Sequence, residues 1–243
     1  MIWRLFLCEK IFTVRGIMNT LGLNLEKSIL FEDEDIIVCR KPGGVPVQTK
    51  RSSVMDMESG LKNYLAQKGE GAYLAVVHRL DQPVQGILVF GKNQKSGARL
   101  SEQIQKGQME KIYLACVQGI PEDKEGTLED QMEKIPGSNL SRIVDKKTKN
   151  SRKAVLEYKV LKEEKGCSLL EIHLKTGRRH QIRVQLAHMG NPIIGDTKYN
   201  KGEIGDSERK GLGLCASRLC FFHPKTGKKM EFQVKPDGNF PIV

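Results

Sequence analysis

The sequence predicts an α+β fold built on a mostly antiparallel sheet, and two observations carry that expectation. Runs of strand length recur along the chain with few stretches at helical spacing between them, unlike the regular alternation of a doubly wound parallel sheet. Apolar and polar side chains alternate in Ala154, Leu156, Tyr158 and Val160 and again across residues 167–174, the pattern of half-buried strands joined by a turn, here near Gly166. At 243 residues and 39% hydrophobic side chains, the chain can bury a substantial core as one large domain, with or without small extensions.

The elements follow in order. Residues 28–42, SILFEDEDIIVCRKP, read as strand, acidic turn, strand, with Ile29, Phe31, Ile36 and Val38 as apolar members. A basic loop, GGVPVQTKR, comes next. Met57, Leu61, Tyr64 and Leu65 recur at helical spacing, and Gly69 and Gly71 terminate that helix. Residues 73–92, YLAVVHRLDQPVQGILVFGK, hold two apolar runs split by a polar segment with Pro83 and Gly86, which demands a loop or a broken strand. Ala98, Leu100 and Ile104 mark a helix over 94–106, and KIYLACVQ at 111–118 is a strand. Residues 121–150 show less regularity. Between Arg142 and Lys153 six basic residues face the single acid Asp145, which reads as a solvated loop or a phosphate-binding segment with equal weight. HQIRVQLAHMG at 180–190 is a helix reached through a glycine turn and closed by Gly190, and strands near 212–222 and 230–234 complete the chain.

Forty Lys and Arg against twenty-nine Asp and Glu leave a formal charge of +11. Such a surface favours polyanions, because each neutralised phosphate releases condensed counterions, although charge alone serves plain solubility equally well. The six cysteines form no CxxC pair and fit neither a zinc site nor a disulfide framework, so a reducing, cytoplasmic setting is expected. The apolar start, Met1 to Cys8, carries Arg4 and meets Glu9 and Lys10 before any small-residue cleavage site, so it is not read as a signal peptide. No stretch approaches the length of a membrane helix. Met18 opens a plainer soluble segment, and residues 1–27 are read as an N-terminal extension to a single domain over 28–243.

Two constellations stand out. His78, Arg79, Leu80 and Asp81 place cation and carboxylate side by side where a strand gives way to a loop. An isolated RLD is more often a surface salt bridge, but the apolar strands on either side set Asp81 at the margin of a core, where an ionised carboxylate needs cationic or hydrogen-bonding company. Lys175, Arg178, Arg179 and Arg183, four cations within nine residues and without an acid, supply it. The glycine turn at a helix N-terminus suits phosphate, while Arg183, further into the helix, reads alone as part of an exposed face but could point inward at a carboxylate. Tyr113 sits on an apolar strand, where an ordinary core tyrosine is the plainer account. The five histidines show no HxxxH or HExxH, and no GxxxxGK[ST] or GxGxxG is present, which argues against a metal centre and the usual nucleotide cradles.

Taken in order, HRLDQPVQGILVFGK, KIYLA and LKTGRRHQIRVQLAHMGNPIIGD resemble the RNA pseudouridine synthases that act on ribosomal and transfer RNA. The likeness runs from about Ile29 to the C-terminus, opening with DEDIIVCRKPGGVPVQ and closing with LCASRLCFFHPKTGK. It implies a central mixed sheet flanked by helices and crossed by a basic active-site cleft. The family's catalytic aspartate falls on Asp81, its active-site tyrosine on Tyr113 and its carboxylate-pairing arginine on Arg183; Arg79 matches the arginine that helps displace and replace the flipped uridine. Gln82, Pro83, Val84 and Gln85 stand where small hydroxyl residues are commoner, and Cys215 where a histidine is usual, departures that bear on target choice. The pattern begins too early for the additional RNA-binding domain common among relatives.

The resemblance implies isomerisation of uridine to pseudouridine in structured RNA. The reaction exchanges an N1 bond to the sugar for a C5 bond with no net redox change, so neither cofactor nor metal is expected. The base must leave its stack, which costs a few kcal/mol unless it already lies in a loop, and the carboxylate must stay ionised, which an arginine within about 4 to 6 Å favours. Tyr113 is expected to stack on a base or move a proton. His78, His180, Lys175, Arg178 and Arg179, with Lys146 and Lys147 from the basic run, are the expected RNA contacts; no membrane and no obligatory protein partner are inferred. Two other readings compete: a non-catalytic RNA-binding or ribosome assembly module, which leaves a carboxylate in a polyanion groove unexplained, and a metal-independent hydrolase using His78 and Asp81, which lacks a marked nucleophile.

Overall fold

A computed structural model describes residues 25–51, 53–200, 211–238 and 240–241. Within them a short helix α1 (Leu25–Ser28) leads into β1 (Ile29–Glu32) and β2 (Ile36–Lys41), and α2 (Met57–Gln67) precedes β3 (Ala75–Val76) and β4 (Gln85–Gly91). Helix α3 (Gln94–Gln105) is followed by five strands, β5 (Glu110–Gln118), β6 (Glu125–Lys134), β7 (Ser141–Val144), β8 (Arg152–Glu164) and β9 (Cys167–Leu174). Helix α4 (Gln181–His188) comes before β10 (Leu214–Phe222) and β11 (Lys229–Gln233). The strands form one mixed sheet in the order β1-β2-β4-β10-β5-β9-β8-β6-β7, with β3 beside β4 and β11 beside β10. Among the described residues the pairing of β10 with β4 is parallel and every other pairing is antiparallel.

The hydrophobic pattern explains why the sheet has helices on both sides. In β2 the run Ile36, Ile37, Val38, Cys39 is fully buried, as a strand covered on both faces requires. Ile36 and Val38 join Ile87, Val89 and Leu219 on one face, where Leu100 of α3 packs. Ile37 and Cys39 join Leu88, Phe90, Tyr113 and Ile172 on the other, covered by Met57, Leu61 and Leu65 of α2 and Ile182 and Leu186 of α4. Helices α2 and α3 begin as their sequences predict, with Asp56 and Asn93 accepting the amides of Ser59 and Ser96 at 2.7 and 2.8 Å.

Two expectations need correction. Residues 121–150 are not irregular throughout: β6 and β7 form an antiparallel hairpin, and β6 also pairs with β8 along most of its length. The strand EGTLEDQMEK has few apolar members because one face is solvated, where Glu129 and Glu133 pair across to Lys153 and Arg142 at 2.6 and 2.7 Å. Only 145–151 of the basic run is loop. In addition, Leu25, assigned on sequence to the extension, is buried in the main core against Gly60 of α2. Residues 1–24 of the expected extension lie outside the described residues.

Candidate active site

Asp81 lies in the loop that leads into β4, between the buried anchors Leu80 and Val84, and its side chain remains 31% exposed. Its carbonyl accepts the amide of Val84 at 3.0 Å, which closes a tight turn. The glycine loop after β2 clamps that turn: Gly44 donates its backbone amide to the Gln82 carbonyl, and the Gln82 side chain returns a bond from Nε2 to the Gly44 carbonyl, each at 2.9 Å. Lys41, wholly buried, completes the clamp by donating to the carbonyls of Pro42, Val45 and Gln82 at 2.9, 2.7 and 2.9 Å. Those bonds use all three donors of an ammonium. Burial pulls the Lys41 pKa down to about 7, while the charge of Asp81 pulls the other way.

From the opposite side comes α4. Its approach is fastened by Gln181, whose side-chain oxygen accepts from Thr176 Oγ1 at 2.8 Å and the Arg178 amide at 2.9 Å, while its amide nitrogen donates to the Val155 carbonyl at 3.1 Å. Gln185, one turn on, donates to Asp130 of β6 at 2.6 Å. With the helix so fixed, Arg183 is buried and points at the Asp81 turn.

The Arg183 guanidinium grips Asp196 with Nε at 2.7 Å and Nη2 at 2.6 Å, and its remaining nitrogen, Nη1, reaches Asp81 Oδ2 at 3.4 Å. Asp196 has no exposed side-chain surface, and its Oδ1 also accepts the amides of Lys198 and Tyr199. A buried, fork-to-fork pair of this kind fixes orientation as well as charge. The Tyr199 ring lies against the guanidinium, 5.3 Å from centroid to carbon. Burial opposes the Arg183 charge, but bonding to Asp196, with Asp81 adding its field, outweighs it and raises the pKa above its ordinary value.

Both contacts on the Asp81 carboxylate fall on Oδ2, since His180 Nε2 also stands 3.7 Å from that atom. Among the described residues Oδ1 has no hydrogen-bond or ion-pair partner. Tyr113 is buried on β5, and desolvation, then the charges of Asp81 and Cys215, push its phenol well above the usual range. It is therefore protonated at neutral pH, able to donate a hydrogen bond or offer a ring face but poorly suited to act as a base.

The sequence-predicted residues thus divide. Asp81, Tyr113, Arg183 and His180 share one neighbourhood. Arg79 and Arg179 are exposed and have no side-chain hydrogen bond or ion pair among the described residues. Arg178 donates to the Lys153 carbonyl at 2.8 Å, and Lys175 pairs with Glu157 at 2.8 Å. Lys146 and Lys147 are exposed in the loop after β7. His78 is half-buried and accepts the Val89 amide on Nε2 at 3.1 Å; burial, with Lys111 adding its charge, lowers its pKa to about 3. It is a neutral structural acceptor here, which removes the basis for pairing it with Asp81 as acid and base. Gln82 and Gln85, two of the departures in the loop, bond to neighbouring backbone, Gln85 to both the amide and the carbonyl of Asp237.

Sequence reasoning missed Lys41, Asp196, Tyr199 and Gln181 as parts of this arrangement. Asp196 stood in plain view at the end of NPIIGD, an acid following an apolar run, the one available signal for a buried carboxylate. A separate cluster, Asp33, Asp35 and His223, has metal-ligand spacing at the opposite end of β2. His223 faces Asp33 through Nε2 at 2.8 Å and accepts two backbone amides on Nδ1, so neither ring nitrogen is free for an ion.

Comparison with known proteins now identifies the chain. Residues 35–188 match the family model for RNA pseudouridylate synthases. An uncharacterised RNA pseudouridine synthase of Zymomonas mobilis is 39% identical over 180 residues, covering 72% of this chain and 79% of the relative. Ribosomal large subunit pseudouridine synthase C of Buchnera aphidicola is 32% identical over 226 residues, covering 89% of this chain and 69% of that protein. In three dimensions the human RNA pseudouridylate synthase domain containing 4 shares the fold, with a TM-score of 0.75 at 23% identity over 89% of this chain and 91% of that one. The protein is an enzyme that modifies RNA. It belongs to the RNA pseudouridylate synthase family, and its reaction is the isomerisation of uridine to pseudouridine. Nothing in the fold or the comparisons favours a non-catalytic module.

Proposed function

We propose that the enzyme converts specific uridines in structured ribosomal RNA, with transfer RNA as the second candidate, and that Asp81 is the group its chemistry cannot do without. The carrying observation is the asymmetry of the Asp81 carboxylate, held through Oδ2 by Arg183 at 3.4 Å while Oδ1 has no partner among the described residues. The names of relatives such as ribosomal large subunit pseudouridine synthase C support the ribosomal target.

The target base leaves its stack, and Arg79, exposed two residues before Asp81, fills the gap and offsets part of the few kcal/mol of unstacking. Asp81 Oδ1 meets the nucleotide, Arg183 holds the carboxylate through Oδ2, and Tyr113 stacks on the base or donates to it. Arg179, Lys146 and Lys147 contact phosphates. No cofactor or metal is needed for an isomerisation without redox change. The absence of CxxC pairing and of any described helix long enough to cross a membrane fits a cytoplasmic enzyme with a single catalytic domain, which takes in Leu25 at its start.

The test is direct. Purified protein is incubated with ribosomal and transfer RNA lacking modifications, pseudouridines are mapped, and the same RNAs are mapped from cells without the gene. We expect one or a few sites to appear in vitro and vanish in vivo, and Asp81→Asn to abolish formation while RNA binding survives. Normal turnover by Asp81→Asn would remove Asp81 from its role; sites confined to transfer RNA would overturn the ribosomal target.

A further inference from the structure

We propose that His180 is a positioning residue for this reaction: a neutral imidazole whose Nε2–H faces Oδ2 of Asp81 and whose tautomer is set by Tyr199. The proposal rests on the reading of Asp81 as the catalytic carboxylate and adds a second, uncharged donor to the oxygen that Arg183 holds.

The tautomer follows from donor bookkeeping along a short relay. Tyr199 Oη accepts the Ser141 amide at 2.9 Å, so its own proton points elsewhere, and among the described residues the remaining hydrogen-bond partner of that oxygen is His180 Nδ1 at 2.7 Å. Nδ1 therefore accepts, and the neutral ring carries its proton on Nε2. That nitrogen is 3.7 Å from Asp81 Oδ2, too long for a formed hydrogen bond but a separation that tightens readily when substrate closes a site.

Backbone geometry supplies an independent sign. His180 precedes α4 with φ 55° and ψ 22°, a left-handed conformation usually left to glycine or asparagine and costly for other residues. Its carbonyl accepts the Val184 amide at 3.0 Å and so starts α4, but its side chain makes no capping bond to the helix and is left for another role. The left-handed conformation turns that buried ring toward Asp81 and Tyr199.

The surrounding charges fit a neutral ring. Asp81 faces it from its turn, Arg183 from α4, Arg179 from the preceding loop, and Lys198 and Tyr199 from the segment after Asp196. Three cations, Arg183, Arg179 and Lys198, thus act on the ring against the single free carboxylate of Asp81, with Asp196 engaged by Arg183, and a proton on the ring would be repelled. Burial, offset by Asp81 and reinforced by the cations, lowers the His180 pKa to about 4. Because Arg183 spends Nε and Nη2 on Asp196, its hold on Asp81 is one long contact, and a second donor on Oδ2 stops the carboxylate from rotating and leaves Oδ1 as the reacting oxygen.

Two substitutions separate this role from backbone conformation. The amide nitrogen of His180→Gln reaches about as far as Nε2, whereas that of His180→Asn reaches only as far as Nδ1, although asparagine tolerates the left-handed backbone better. Removing one preorganised donor in direct contact costs about 10²- to 10³-fold in kcat. For a donor acting through Asp81 we expect His180→Asn to lower kcat about tenfold with KM for RNA unchanged, and His180→Gln to restore it to within about threefold of wild type. Any change of wild-type kcat between about pH 6 and 7.5 should persist in His180→Gln, because no imidazolium is lost there and the group that titrates in that window is Lys41, brought down to about 7 by burial. Nitrogen NMR of the wild-type ring should show the Nε2–H tautomer, and Tyr199→Phe should mix it.

A kcat for His180→Asn equal to or above that of His180→Gln, an alkaline loss of rate through pH 6.5 that His180→Gln abolishes, or an Nδ1–H tautomer in the wild type would each overturn the proposal. The NMR measurement decides even where a variant fails to fold. Asp81→Asn is assayed alongside: if it is inactive while His180→Asn is fully active, this inference alone fails, and if it turns over normally, the underlying reading fails first.

Discussion

Around Asp81 the polar atoms are partnered and aimed, whereas along the loop after β7 the charged ends face water. Arg183 and Asp196 are buried and joined by two short bonds, and Lys41 gives all three protons to carbonyls. Lys146 and Lys147 have no side-chain partner among the described residues, and the pairs nearby, Glu129 with Lys153 and Glu133 with Arg142, each have at least one exposed member. Exposed pairs contribute at most about 1 kcal/mol, while breaking a buried one costs several. The two regions are thus built for different tasks, one to hold a reacting oxygen in place and the other to meet a polyanion whose exact position varies.

The sharpest way to break this comparison is at Asp196. If the Arg183 pair is a rigid support, Asp196→Asn leaves a buried guanidinium with only the distant Asp81 carboxylate, and stability should fall by about 3 to 5 kcal/mol. Urea unfolding measures it, with kcat falling as Arg183 swings toward Asp81. A loss below about 1 kcal/mol would mean that the centre is as loosely held as the surface.

A smaller effect probes the partnered centre through pH. Free histidine near 6.5 is lowered in the fold to about 3 at His78, so the unfolded chain binds the proton first. Stability from this residue is therefore complete above about pH 6.5 and is lost as pH falls toward 3. Between pH 6.5 and 4.5 the loss approaches about 3 kcal/mol, two units at about 1.4 kcal/mol each. In His78→Gln, whose side-chain oxygen still accepts the Val89 amide, acid unfolding should flatten over that window. An unchanged slope would show that His78 is not the half-buried neutral acceptor described.

How much of this was legible beforehand depended on whether the signal was local. Strands β8 and β9 announce themselves through alternation, and β2 through four consecutive apolar residues, because a residue's own side chain records which face it buries. Strand β6 does not, since Leu128 and Met132 are its only large apolar members and its pairing is set by β7 and β8. The site divides the same way. Asp81 and Arg183 lie in recognisable motifs, but the fork on Arg183 is closed by an acid thirteen positions later that returns only when the chain folds. That His78 turns to a backbone amide and that His180 adopts a left-handed backbone are facts of tertiary geometry with no mark in residue order.

The comparison is sharpened last, and most gently, at the exposed end. Replacing Lys146 and Lys147 with alanine removes two charges that touch no other side chain among the described residues, so stability should change by no more than about 0.5 kcal/mol. If they meet phosphates, the slope of log affinity against log salt should become shallower by about one unit per lysine. Turnover at saturating RNA should be untouched, because neither residue belongs to the Asp81 neighbourhood. A salt titration of RNA binding with single-turnover rates at saturation measures both. An unchanged slope would return the loop to plain solvation, and a lowered saturated rate would show that the two regions communicate, for which Gln185 bonded to Asp130 between α4 and β6 is the physical route.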